Sequence, residues 1–170
     1  MPNNINVDFS QFPFCFRGIY IKGKFSNKLK DYNQFFKFFS EIIEKILPVF
    51  SNYSFENIHR LTKHAHIIPK ESQQYETVIL VLKELCKDYY NYNEAEFEMW
   101  FNQNINDYAI WQLGIIGGVR LIGIRKQKTF FCVLFIDYHH QLYKSEKHNQ
   151  ENIDKYEFCP ITSVKKEKVR

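Results

Sequence analysis

Between Phe130 and Ile136 the chain reads Phe-Phe-Cys-Val-Leu-Phe-Ile, a run whose only polar group is one thiol. So short a run, rich in β-branched and aromatic side chains, is a strand, and without a hydrophilic face it must be covered on both sides. The rest of the chain therefore has to supply a sheet and enough helix to bury a central strand. Residues 119–125 form a second β-rich run, and Lys126-Gln127-Lys128 between the two is short and polar enough for a tight hairpin. The apolar run ends abruptly at Asp137-Tyr138-His139-His140, four functional side chains where a buried strand leaves the core.

The remaining pattern supplies the cover. Residues 14–22 alternate and favour an early strand that could join the sheet. Ser26 or Asn27 can cap a helix starting near Lys28, with Leu29, Tyr32, Phe35, Phe36, Phe39, Ile42, Ile43, Ile46 and Leu47 at helical spacing and Pro48 as its stop. A short helix is predicted over Phe55 to Ala65, a long one from about Glu71 to Tyr90, and another from Glu94 to about Asn104. Residues 108–114 and 156–162 read as further strands. The expected fold is α+β: a mostly antiparallel sheet of four or five strands with three or four helices packed on one face of it. At 170 residues the chain suits one domain, 1–163, followed by a basic, disordered tail at 164–170.

Charge narrows the function classes. The net charge is +4, but the last seven residues hold four cations and one acid, which leaves +1 for residues 1–163. The body is nonetheless polarised: residues 83–107 carry six acids against two lysines, while Arg120, Arg125, Lys126 and Lys128 stand on the hairpin with no acid between them. No apolar run approaches the roughly 18 residues of a membrane span, and the start has no signal-peptide pattern. The expectation is a cytoplasmic protein without a membrane partner. Cys15, Cys86, Cys132 and Cys159 are scattered, three of them within apolar runs, which reads as buried thiols and no disulfide frame.

Two constellations can carry chemistry. His64-Ala-His66 and Asp137-Tyr-His139 each project two side chains to one side of an extended segment, as a metal site needs, but no third spacing completes a known signature, so no metal or cofactor is assigned. On the hairpin, strand parity sets Phe131, Val133, Phe135, Asp137 and His139 on one face and His140 on the other. Asp137 could then fix the tautomer of His139 for general acid/base work, with Arg120 or Arg125 on a phosphate and Tyr143 stacking on a base. The competing reading is a strand-end aspartate that accepts turn hydrogen bonds, with the histidines and tyrosines closing the rim.

Residues 111–143, a strand with arginines, a hairpin, an apolar strand and the Asp137-Tyr-His139 ending, resemble the C-terminal half of RelE/HigB-type toxins, small bacterial ribonucleases that cut messenger RNA. That resemblance implies an RNA-directed protein of a bacterial conflict or defence system, a metal-independent endoribonuclease acting on RNA or at the ribosome. Arg120 and Arg125 would bind phosphate with Lys126 and Lys128, His139 or His140 would serve as acid/base beside Asp137, and Tyr143 would stack. The alternative is a non-enzymatic protein-interaction domain, a regulator or inhibitor, whose acidic segment 83–107 meets an antitoxin-like or target protein.

Overall fold

The computed structural model describes residues 4–115, 117–144 and 152–167, the side chains of 164–167 excepted. Its strands are β1 (Asn6–Asp8), β2 (Tyr20–Ile21), β3 (Phe25–Ser26), β4 (His66–Ile67), β5 (Ile110–Leu113), β6 (Arg120–Arg125) and β7 (Phe130–Asp137). Its helices are α1 (Tyr32–Glu41), α2 (Leu47–Phe50), α3 (Ile58–Leu61), α4 (Gln73–Tyr90), α5 (Glu94–Asn104) and α6 (Pro160–Glu167). One five-stranded sheet runs in the order β1-β7-β6-β5-β4. Its pairings are antiparallel except for β1, which lies parallel to β7. The domain is thus α+β with a mostly antiparallel sheet. β7 has a partner on each side and is buried from Phe131 to Asp137, the central strand its sequence demands.

The helices cover both faces, not one. On one face α4 and α5 bring Val78, Val81, Leu82, Leu85, Cys86 and Phe97 against Cys132, Leu134 and Phe135. On the other, Phe38, Ile42, Ile46, Phe50 and Ile58 meet Phe131, Val133 and Ile136. A β7 without a polar face needs this arrangement, because each uncovered apolar side chain would forfeit roughly 1.5–3 kcal/mol of burial.

Helix ends follow local chemistry. Ser72 Oγ accepts from Tyr75 N (3.2 Å) to start α4, and Asn91, at φ 60°, closes it in the left-handed region. Asn93 and Glu96 make a reciprocal capping box on α5. α1 begins at Tyr32, capped by Asp31, whose Oδ1 accepts from Gln34 N at 2.9 Å, and not near Lys28. Pro48 does not stop it: Ile42–Ile46 widen into a π turn, after which Pro48 falls in the first turn of α2, where an N–H is not required.

Other expectations are corrected. The strand over 14–22 shrinks to β2, which pairs only with β3 and stays outside the main sheet. The preceding residues form turns, with Cys15 N donating to Phe12 O (3.0 Å) and Arg17 N to Phe14 O (2.8 Å). The helix over Phe55 to Ala65 is reduced to α3. In place of a strand at 156–162 there is one bridge, Leu29 to Phe158, followed by α6. That helix carries the backbone through Glu167, so of the tail at 164–170 only 168–170 lie wholly outside the described residues. All four cysteines are free and buried.

The hairpin itself departs from simple alternation. Ile122 pairs with Phe135 and Gly123 with Val133, so Leu134 bulges without a partner on β6. A side chain at position 123 would meet the Cys132 carbonyl oxygen and the Phe131 ring, and glycine there allows the close approach. Beyond the bulge the faces exchange. Leu134 and Phe135 both enter the α4-side core, while Ile136 and Tyr138 return to the α1 side. The parity that joined Phe131, Val133, Phe135, Asp137 and His139 is therefore broken within the strand.

Candidate functional site

The hairpin separates the residues that a phosphate-cleaving site would need together. Arg120 opens β6 and is the register partner of Asp137 at the end of β7, whereas Arg125, Lys126 and Lys128 stand at the turn. Arg125 pairs with Phe131, six residues from Asp137, so at the rise of a strand the two groups lie about 20 Å apart. Tip cations and strand-end acid cannot serve one phosphodiester.

At the strand end everything is enclosed. Asp137 is 0% exposed and accepts three backbone N–H groups: Gln141 N at 2.9 Å and His139 N at 3.3 Å on Oδ1, and Leu142 N at 2.9 Å on Oδ2. Burial pushes its carboxyl up to about 6, against the downward pull of those N–H groups and of Arg120. It acts as the clasp of the turn 138–142, where His140 takes a positive φ of 57°. The Asp137 carboxylate accepts from the His139 backbone N–H.

His139 instead faces α1. Its Nε2 lies 2.7 Å from the Lys28 carbonyl oxygen, which can only accept, so the proton sits on Nε2. Its ring packs edge-on to Phe38 and beside Tyr156, each at 5.8 Å between centroids. Tyr138 stacks on Phe38 (5.6 Å). Asn27 ties residues 17–19 to the end of β7: Oδ1 accepts from Ile19 N (2.7 Å), and Nδ2 donates to Arg17 O (3.1 Å) and Ile136 O (3.2 Å). Tyr143 is half-buried, edge-on to His66 at 5.1 Å.

Arg120, expected to bind phosphate, is 1% exposed. Its Nη1 donates to the carbonyls of Gly117 and Val119, both at 2.8 Å, and its stem fills the space a side chain at Gly114 would need. Burial lowers its pKa while Asp137 and Glu41 hold it up. Glu41, from the end of α1, has its Oε1 against Gly117, and burial raises its pKa despite Lys45, Arg120 and Lys37. Arg120 is thus a buried counter-charge to two carboxylates.

The tip cations are more open but engaged. Arg125 donates from Nη2 to Glu56 (3.1 Å) and lies over the Phe55 ring at 4.7 Å. Lys126 donates to Gln11 (3.1 Å), and Lys128 is exposed. In the acidic segment, Asp88 pairs with Arg17, Glu94 with Lys83, and Glu96 closes the cap of α5. Among the described residues no three His, Cys, Asp or Glu side chains are placed to hold a metal, and no helix is long and apolar enough to cross a membrane.

The family described as Uncharacterised protein UU032 matches residues 10–166. The chain belongs to the UU032 family. A relative from Ureaplasma parvum serovar 3 (strain ATCC 700970), carrying the same description, is 29% identical over 138 residues, covering 81% of this chain and 70% of the relative. The UU032 match takes in the whole α4–α5 layer and the hairpin and begins just after β1. No solved structure matches the chain.

One surface was not singled out by the sequence. Along α1 and into the π turn that follows it, Tyr32 (39%), Phe36 (61%), Phe39 (36%) and Ile43 (45%) are exposed, spaced four, three and four residues apart. Half-buried Phe35 and Phe16 fringe them, with ring centroids 5.7 and 6.3 Å from Phe39. Beyond Ile43 a groove of about 640 Å³ is lined by Ile46, Pro48, Val49, Tyr53 and Ile115 together with Glu44, Lys45 and Asn52. The signal was present in the spacing, but the inward stripe of the same helix hid it.

Proposed function

We propose that this chain is a non-enzymatic protein-interaction domain, a regulator or inhibitor by class, that docks another protein through the outer face of α1. The observation that carries the reading is the uncharged line Tyr32, Phe36, Phe39 and Ile43, exposed at the spacing of a coiled-coil seam. Four large apolar side chains left 36–61% exposed in one line make a contiguous apolar surface of the kind that marks an interaction site. The groove beyond Ile43 adds a concave apolar anchor point, the form a buried hot spot takes.

The endoribonuclease reading draws less support. Arg120, Asp137, His139 and His140 are buried, and the exposed cations stand at the opposite end of the hairpin. The test compares two activities of purified protein. RNA cleavage, with and without ribosomes, is expected to be absent. Partner capture by in-cell cross-linking is expected to be lost on Phe36→Glu and retained on Lys128→Ala, with both variants folded by circular dichroism. RNA cleavage that falls on His139→Ala, in a variant that stays folded, would sink the interaction reading.

A further inference from the structure

We propose that Glu41 is a proton-operated switch at the junction of α1 and the π turn: its carboxyl seats against Gly117 when protonated and swings out between Lys37 and Lys45 when ionised. The switch belongs to the free chain and does not depend on the docking reading. Its seat is built by the loop between β5 and β6. Gly117 takes a φ of 89°, and a side chain there would come within 2.6 Å of Glu41 Oε1, so glycine leaves the space that the carboxyl fills. Oε1 is buried in that seat, and among the described residues no donor meets it. A carboxylate oxygen enclosed without a hydrogen bond is costly, whereas the protonated carboxyl is neutral and brings a donor of its own.

The charges around Glu41 supply the second position. Arg120 of β6 acts on it by charge, while its Nη1 is committed to the Gly117 and Val119 carbonyls. Asp137 of β7 draws on the same cation. The loop 114–118 carries no titratable side chain. Lys37, four residues before Glu41 on α1, and Lys45, four residues after it on the π turn, are both exposed and both pull its carboxyl toward ionisation. Neighbours at that spacing share a helix face, so the ionised carboxyl finds two cations in water. Glu41 is half-buried, which leaves the carboxyl an open path between the two positions.

The sign of the switch follows from which influence wins. Burial outweighs the pull of Lys45, Arg120 and Lys37 and raises the pKa, so the proton is held more tightly in the seat than in the unfolded chain. The seat is filled at acid pH and empties as pH rises through the raised pKa. Both positions border the groove beyond Ile43, which Lys45 lines from the π turn and Ile115 from the loop. A carboxyl that leaves Gly117 for Lys45 therefore acts on two walls of that groove, and π turns within helices recur at functional sites.

Nuclear magnetic resonance of the full chain between about pH 3 and about pH 8, a span that brackets carboxyl titration, tests the switch. The Glu41 carboxyl carbon should titrate above the ordinary 4.5, and the Gly117 and Gly118 amides should move with the same midpoint. Glu41→Gln, neutral at every pH, should hold both amides near their acid positions throughout. Lys37→Ala combined with Lys45→Ala, at two exposed positions, should shift the midpoint further up by removing the partners of the ionised form. Asp137→Asn separates the two carboxyls, and the glycine amides should still titrate in it. If Glu41→Gln does not fold, the carboxyl carbon and the glycine amides of the wild type decide the matter by sharing a midpoint or not. A Glu41 carboxyl that titrates at or below 4.5 overturns the proposal. So do glycine amides that stay still across its midpoint, an amide titration that survives Glu41→Gln or vanishes in Asp137→Asn, and a midpoint indifferent to the two lysines.

Discussion

α4 and α1 cover opposite faces of the same sheet, yet they solve different problems. α4 turns Val78, Val81, Leu82, Leu85 and Cys86 inward at 0% exposure, and along its length only the terminal Tyr89 is an exposed large hydrophobic. α1 has an inward stripe continuing through its π turn, Phe38, Ile42 and Ile46, and also the outward line of Tyr32, Phe36, Phe39 and Ile43. A helix that only completes a core needs one stripe. The second stripe packs only at its fringe, Tyr32 on Phe158 and Phe39 beside Phe16 and Phe35, and the apolar surface it leaves exposed points to contact.

The comparison can be broken at its buried charges first. Glu41 at the end of α1 and Asp137 at the end of β7 both act on Arg120, which is 1% exposed. Arg120→Ala should remove the hydrogen bonds to Gly117 and Val119 and the cation near enclosed Asp137 and half-buried Glu41, and cost about 3 kcal/mol by urea unfolding. A loss below about 1 kcal/mol would mean that Arg120 is free to serve a ligand. Next, Leu82→Ala on α4 should cost roughly 3 kcal/mol as a cavity in the core. A near-neutral result would mean that α4 is not the fully committed helix.

Asp137 gives a pH test with a defined sign. Its folded pKa, about 6, lies above the ordinary 3.8, so the folded state holds the proton more tightly than the unfolded chain. The associated stability is present below about 4 and is lost as pH rises through about 6. Measured against Asp137→Asn, which cannot ionise, the wild type should fall by up to about 3 kcal/mol across that window. Parallel pH profiles would show that the carboxyl is solvated and the strand end open. The smallest expected effect is on the outer stripe: Phe36→Ser should change stability by less than about 0.5 kcal/mol while weakening partner capture. A large loss of stability would make Phe36 a core residue and erase the difference between the helices.

Strong local periodicity was legible without coordinates. α5 occupies the expected span from Glu94 to about Asn104, and β6 and β7 form the hairpin drawn from two β-rich runs around Lys126-Gln127-Lys128. The covered β7 followed from having no polar face to leave in water. The failures share one cause: Pro48, Asn27 and residues 14–22 were read by local propensity, and tertiary bonding overrode it. Pro48 is absorbed after a π turn, and Asn27 bonds Ile19, Arg17 and the distant Ile136 in place of a helix start.

The candidate site shows the same division. Composition and alternation alone determined that a central strand ends in Asp137, Tyr138, His139 and His140, that its arginines flank a hairpin, and that the thiols are buried. Only the tertiary structure decided what those groups face. A single bulged residue, Leu134, exchanges the faces of the strand beyond it, and a register slip of this kind leaves no mark in the alternation of an all-apolar run. Likewise, two apolar stripes on one helix look the same in one dimension, because the spacing that turns a side chain inward also aligns its neighbours outward. Which stripe is buried depends on the azimuth at which α1 meets the sheet, a long-range contact that local sequence does not encode.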